Sequence, residues 1–107
     1  MEKSTHKLCK KSNGEARVWL QGKRLKDHGF VKDAPITVRV SEEGSEPHIV
    51  IARITALQGK LRKVSGRDDG TPIIDMSGKW VTEFFKGYTH FTARYSDSLI
   101  TVWRGEW

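Results

Sequence analysis

Two stretches of this 107-residue chain repeat one another, Ala16 to Arg53 and Pro72 to Arg104, and that repetition limits the folds open to it. With one residue deleted before Phe85, Gly22 aligns with Gly78, Lys23 with Lys79, Phe30 with Phe85, Thr37 with Thr92, Arg39 with Arg94 and Ser41 with Ser96. The apolar positions keep step: Val18 and Leu20 with Ile74 and Met76, Leu25 with Val81, Ile36 and Val38 with Phe91 and Ala93, Ile49 and Ile51 with Ile100 and Val102. Matched hydrophobic phase and matched glycines together mark an internal duplication. A unit of about 35 residues removes too little surface from water to hold a core alone, so the two units are expected to pack on each other.

Each unit opens with alternating apolar residues, the period-two signature of a half-buried strand. Gly22-Lys23 and Gly78-Lys79 end that strand, after which Leu25 to Phe30 and Trp80 to Phe85 have the length and spacing of one or two helical turns. A second alternating run follows (Ile36, Val38, Val40; Phe91, Ala93, Tyr95), then a polar turn and a strand rich in β-branched residues, which together read as a hairpin. The expected fold is a mainly β (α+β) domain built from two strand, short helix, β-hairpin repeats. Residues 1–15 form a basic N-terminal tail, 16–53 the first repeat, 54–71 a basic linker and 72–107 the second repeat.

The motif is apolar-x-apolar-x-Gly-Lys, a Trp or Arg, then Leu or Val, with Gly-Phe or Phe-Phe shortly after and a Val-x-Val hairpin. Its residues are Leu20, Gly22, Lys23, Leu25, Gly29, Phe30, Val38, Val40 and Ile49 to Ile51 in the first copy, and Met76, Gly78, Lys79, Trp80, Val81, Phe85 and Ile100 to Val102 in the second. This pattern resembles the SymE toxin family, itself similar to the swapped-hairpin DNA-binding fold of AbrB and the MazE antitoxins. One departure is that Lys32-Asp33-Ala34-Pro35 stands where the family has a glycine before the Val-x-Val strand; Gly87 supplies it in the second copy. The resemblance implies one small AbrB-like pseudo-dimeric barrel closed within a monomer. It also implies a bacterial or mobile-element protein, toxin or regulator, that binds DNA or RNA without catalysis. By the same similarity the binding face would hold Lys23, Arg24, Lys26 and Arg39, with Lys79 and Arg94 as counterparts. Arg39 and Arg94 lie between inward residues of alternating strands, so both should face solvent.

The net charge of +6 is unevenly placed. Residues 1–17 and 52–70 each contribute +3, while the remaining stretches balance. Flexible basic arms flanking a small β domain can neutralise phosphates and release condensed counterions, which adds Lys60, Arg62, Lys63 and Arg67 to the candidate contacts. Basic segments could equally meet the acidic groove of a protein. The alternative reading is therefore a phage or mobile-element inhibitor or adaptor that binds a host nucleic-acid-processing complex.

Chemistry of other kinds finds little footing. His6, His28, His48 and His90 are scattered, and His6-x-x-Cys9 is the one pair at metal-ligand spacing, short of the four ligands a zinc site needs. Asp68-Asp69 precedes Gly70 and reads as a turn more readily than as a magnesium site. No phosphate-cradling Gly-x-x-x-x-Gly-Lys-Ser/Thr sequence is present. The expectation is no enzyme, no metal and no cofactor. Phe85 and Phe91 read as core, whereas Trp19, out of phase with Val18 and Leu20, is a candidate for an exposed ring or for the seam between the halves. No run approaches the roughly 18 apolar residues of a membrane span. The polar first thirteen residues and the single Cys9 suggest a cytoplasmic protein with no membrane partner.

Overall fold

The computed structural model of the chain describes residues 2–53 and 60–106. In chain order its elements are β1 (Glu2–Lys7), β2 (Cys9–Lys10), β3 (Ala16–Gln21), α1 (Lys23–Asp27), β4 (Pro35–Ser41) and β5 (His48–Ala52). They continue with β6 (Lys60–Lys63), β7 (Ser65–Gly66), β8 (Pro72–Ser77), α2 (Lys79–Phe84), β9 (His90–Ser96) and β10 (Leu99–Arg104). All strand pairings are antiparallel. One sheet has the order β1-β9-β10-β5-β4-β6 and the other β2-β3-β8-β7.

The expected strand, helix and hairpin appear in both halves, as β3-α1-β4-β5 and β8-α2-β9-β10. Gly22 and Gly78 cap the two helices at φ 101° and 121° with ψ near −161° and −174°. That region is open to glycine almost alone, so each turn needs the residue it has. The single-residue difference between the copies falls at Gly29 (φ 88°). There the Phe30 N–H donates to the Leu25 carbonyl (2.9 Å) and the Gly29 N–H to that of Lys26 (3.1 Å), a Schellman ending. In α2 the Phe85 N–H reaches only four residues back, to Val81 (3.1 Å). Phe30 and Phe85 are thereby delivered to equivalent buried sites.

Strand register obeys an internal two-fold relation. Across β3 and β8, Val18 faces Met76 and Leu20 faces Ile74, with Trp19 opposite Asp75 at the centre. Since Val18 is equivalent to Ile74 and Leu20 to Met76, exchanging the halves returns the same pairs. Across β5 and β10, Ile49 faces Val102 and Ile51 faces Ile100 about Val50 and Thr101. The fold therefore has pseudo-two-fold symmetry, and Trp19 does lie at the seam.

The repeat is longer than the hydrophobic pattern suggested. The segments read as tail and linker contain β1-β2 and β6-β7, which enter the sheets at equivalent places; residues 54–59 of that linker lie outside the described residues. β1 pairs with β9 of the other half and β6 with β4, so each half lends its first strand to its partner. The chain crosses between sheets at Leu8 and Val64, whose N–H groups donate to the Thr89 and Ala34 carbonyls, both at 2.9 Å. The turns after β2 and β7 also correspond: Gly14 and Gly70 hold φ 87° and 90°, and the Asn13 and Asp69 side chains accept the Glu15 and Thr71 N–H groups at 3.1 and 2.9 Å.

A closed barrel is absent among the described residues; the strands form two open sheets instead. Between them lies one core. Val18, Leu20, Leu25, Phe30, Ile49 and Ile51 from one half meet Met76, Val81, Phe85, Phe91, Ile100 and Val102 from the other. No helix of the described residues is long and apolar enough to cross a membrane.

Candidate nucleic-acid interface

The six-stranded sheet presents a second face, away from the core. Because Ile36 and Val38 point inward on β4, and Phe91, Ala93 and Tyr95 do so on β9, Arg39 and Arg94 point outward as expected. The register sets them in one row across five strands: Lys3, Arg94, Thr101, Val50, Arg39. Three strand spacings of about 4.8 Å put the two arginines about 14 Å apart, related by the two-fold relation about Val50 and Thr101.

The same alternation adds Lys7 at one edge of this face and Lys63 at the other. Lys63 is 3.9 Å from Asp33, and both are largely exposed. No Asp or Glu falls at an outward position of these six strands among the described residues. Aromatic surface is present on one side. The rings of His48 and Trp103 stack at 4.0 Å, the Arg94 guanidinium lies 5.1 Å over Trp103, and the Trp103 Nε1–H donates to Thr101 Oγ1 at 2.8 Å. Ala52 occupies the equivalent of Trp103 in the other half, so the placements of Arg39 with Arg94 and of Lys7 with Lys63 repeat across the two-fold relation while the aromatic surface does not.

The remaining candidates are scattered. Lys23 and Lys26 sit beside Asp27, Asp69 and Gly70, and Lys79 sits in the equivalent cleft with Asn13, Glu15 and Glu83. The two clefts repeat the pseudo-symmetry, yet each mixes lysine with carboxylate. Arg24 is held by Glu2 (2.7 Å) and lies 5.6 Å over the Tyr95 ring. Arg67 belongs to the turn after β7, donating to Gln21 Oε1 at 3.1 Å. Arg62 occupies an inward position opposite Ile36 and lines a pocket with Val38, Val40 and Trp80; its buried Nε lacks a hydrogen-bond partner among the described residues. Lys60 begins β6 opposite Val38, and its side chain lies outside the described residues. Thus Arg39, Arg94 and Lys63 share one face, and Lys23, Arg24, Lys26, Arg62, Arg67 and Lys79 lie off it.

Lys3 and Lys7, which the charge count places in a basic arm, join that face, as do His48 and Trp103. The first two lie in a segment read as a tail, though their strand could be found by running the alignment back at the same offset. Lys7 then matches Lys63, Leu8 matches Val64 and Gly14 matches Gly70.

A polar cluster ties β1 to α1 at one end of the sheet. Glu2 accepts from Arg24 and from His28 Nε2 (3.0 Å), while His28 Nδ1 lies 3.3 Å from Asp97. His28 is raised above its ordinary pKa first by its bond to Glu2, and the same bond holds Glu2 below the usual carboxylate range. Ser4 Oγ lies 2.6 Å from His6 Nε2 and 3.1 Å from the Tyr95 hydroxyl. Burial pushes the His6 pKa down and the Tyr95 pKa up. His6 stacks on Phe91 at 5.1 Å, whereas Cys9 belongs to the other sheet, so the His6-x-x-Cys9 spacing does not make a joint site. Among the described residues no three His, Cys, Asp or Glu side chains gather as metal ligands. Asp69 bonds the Thr71 N–H within its turn, which lowers its pKa.

Comparison with protein families, with curated proteins and with solved structures finds no match to this chain.

Proposed function

We propose that the chain is a non-catalytic nucleic-acid-binding protein of SymE/AbrB-like type, a toxin or regulator that docks a duplex on the outer face of its six-stranded sheet as a pseudo-dimer. The observation that carries this reading is the paired placement of Arg39 and Arg94 about the two-fold centre, on a face whose described strand positions hold no carboxylate. Their backbone separation of about 14 Å is close to the ~12 Å width of the DNA major groove, which suits side chains that reach phosphates on opposite sides of one groove. A two-fold protein surface also suits the local dyad of a duplex. Lys3, Lys7 and Lys63 extend the contact toward both edges, and most of the affinity would come from neutralised phosphates, with modest sequence discrimination.

The test is fluorescence anisotropy of labelled duplex DNA, single-stranded DNA and RNA across a salt series, for the wild-type chain and for the Arg39→Ala, Arg94→Ala double variant. The expected result is salt-sensitive binding, strongest for duplex, with the logarithmic salt slope reduced by about two in the variant. Equal binding by the variant, or loss only when Lys23, Lys26 and Lys79 are replaced, would move the interface off this face. No binding at low salt would turn the reading toward a protein partner.

A further inference from the structure

The two halves share one fold, so a difference in side chains at equivalent places is informative. Where the chain crosses between sheets at Val64, the Lys32 side chain lies across β7: a Cβ on Gly66 would stand 2.6 Å from Lys32 Cγ and 2.7 Å from its Cδ. Lys32 Nζ is fixed there by donating to the Arg67 carbonyl at 3.2 Å. At the equivalent crossing, through Leu8, the exchange is double: Gly87 is the counterpart of Lys32, and Lys10 that of Gly66. The count is anchored on one side by Phe30 and Phe85, and on the other by Ala34 and Thr89, which accept the matching crossing bonds. With no side chain at Gly87, a pocket of about 550 Å³ opens between β2 and the turn from α2 to β9.

Its chemistry is one-sided. Leu8, Phe85 and Tyr88 provide apolar walls, Lys7, Lys10 and Lys86 stand around them, and no carboxylate belongs to the lining. Of the three hydroxyls in the lining the two of threonine are engaged, Thr82 Oγ1 with the Gly78 carbonyl (2.9 Å) and the Ala16 N–H (3.0 Å), Thr89 Oγ1 with His90 Nδ1 (2.8 Å), and the third is the phenol of Tyr88. Few groups are therefore available to read the edge of a base or a sugar. An apolar body with one anionic end fits such a lining, and the volume lies within the ~300–1,000 Å³ of ordinary ligand sites.

We propose that this pocket binds a small amphipathic carboxylate of the medium-chain fatty-acid type, its tail against Leu8, Phe85 and Tyr88 and its carboxylate among Lys7, Lys10 and Lys86. The site shares Lys7 with the edge of the sheet's outer face but holds neither arginine of the row, and it does not depend on the nucleic-acid reading. Cys9, the one cysteine of the chain, is exposed and lines the pocket, so its reaction with a thiol reagent reports occupancy.

The experiment uses decanoate as probe, by calorimetry and by the rate of Cys9 alkylation with iodoacetamide, in the wild-type chain and in Gly87→Lys, which adds a long side chain to the lining. The expected result is one saturable site that protects Cys9 and is lost in Gly87→Lys. Should that variant fail to fold, Lys10→Glu with Lys86→Glu serves instead. It should weaken decanoate about five- to tenfold, through two exposed charge contacts, and leave binding of uncharged decanol unchanged. Absence of decanoate binding, a folded Gly87→Lys variant that still protects Cys9, or charge reversal without effect on decanoate would each overturn the proposal.

Discussion

Val50 and Thr101 face each other across β5 and β10, and the pairs flanking them are images of one another, Ile49 with Val102 and Ile51 with Ile100. Duplication at the sequence level has become a two-fold relation in which each half completes the core of the other. Ile49 and Ile100 are equivalent and both fully buried. Truncating either to Ala should therefore cost about 2–5 kcal/mol, with the two values within about 1 kcal/mol of each other. Urea unfolding followed by tryptophan fluorescence and by far-ultraviolet circular dichroism checks this. The two signals should report one shared transition, and two separate transitions would mean that the halves hold separate cores.

What the sequence displayed well were the elements that bury apolar residues at a regular period. The phase of Val18, Leu20, Ile36, Val38, Ile49 and Ile51, matched in the second copy, located the strands, and Gly22 and Gly78 located the turns. The strands it hid are those at the sheet edges. β1 and β6 read EKSTHK and KLRK, rich in lysine, and Leu8 and Val64 are the apolar residues that mark where each chain segment crosses between sheets. Edge strands carry such charge to discourage pairing with other chains, so composition imitates a flexible arm. Of the candidate site, the outward arginines were legible from alternation. The scatter of Arg24, Arg62 and the lysines near the helices was not, because it depends on long-range partners such as Glu2 and Trp80.

Gly22 and Gly78 give a stability effect free of packing. A Cβ at Gly22 would meet nothing within 4 Å, and one at Gly78 only Trp80 Cδ1 at 3.9 Å, but both backbones lie where other residues are strained. Substitution to Ala at either position should destabilise by roughly 1–3 kcal/mol from backbone strain alone. Chemical denaturation measures it. A neutral Gly22→Ala would show that the turn relaxes to an ordinary conformation.

Arg17 and Asp75 form a bidentate pair on the outer face of the smaller sheet, at 2.8 and 2.7 Å, with the Arg17 guanidinium also 4.5 Å over the Trp19 ring. Both side chains are about one third exposed. Solvent screening should make the pair a small contributor despite its geometry. The melting temperature of Asp75→Asn should fall slightly at low salt and match wild type near 1 M salt, where the Debye length is about 3 Å. A loss that persists at high salt would assign the effect to packing or to the neutral hydrogen bonds.

His28 offers the clearest dependence on pH. Both ring nitrogens face carboxylates, Nε2 toward Glu2 and Nδ1 toward Asp97, so the doubly protonated ring is the form that satisfies both. Its pKa in the folded chain is raised above 6.5, chiefly by the Glu2 bond. The stability it contributes is thus fully present below the unfolded value and is lost as pH rises through the folded one. Glu2 is lowered from 4.5, chiefly by the same bond, so its contribution is present above that value and fades as pH falls through its folded pKa. The contact is therefore best formed between the two ordinary values. The drop in melting temperature caused by His28→Gln should be larger at pH 6 than at pH 8. Burial lowers the pKa of His6, which works in the opposite sense, but that residue is common to both proteins and cancels in the difference. A drop of equal size at both pH values would mean that His28 holds β1 as a neutral ring, through its 5.9 Å stacking on Tyr95, and not through its charge.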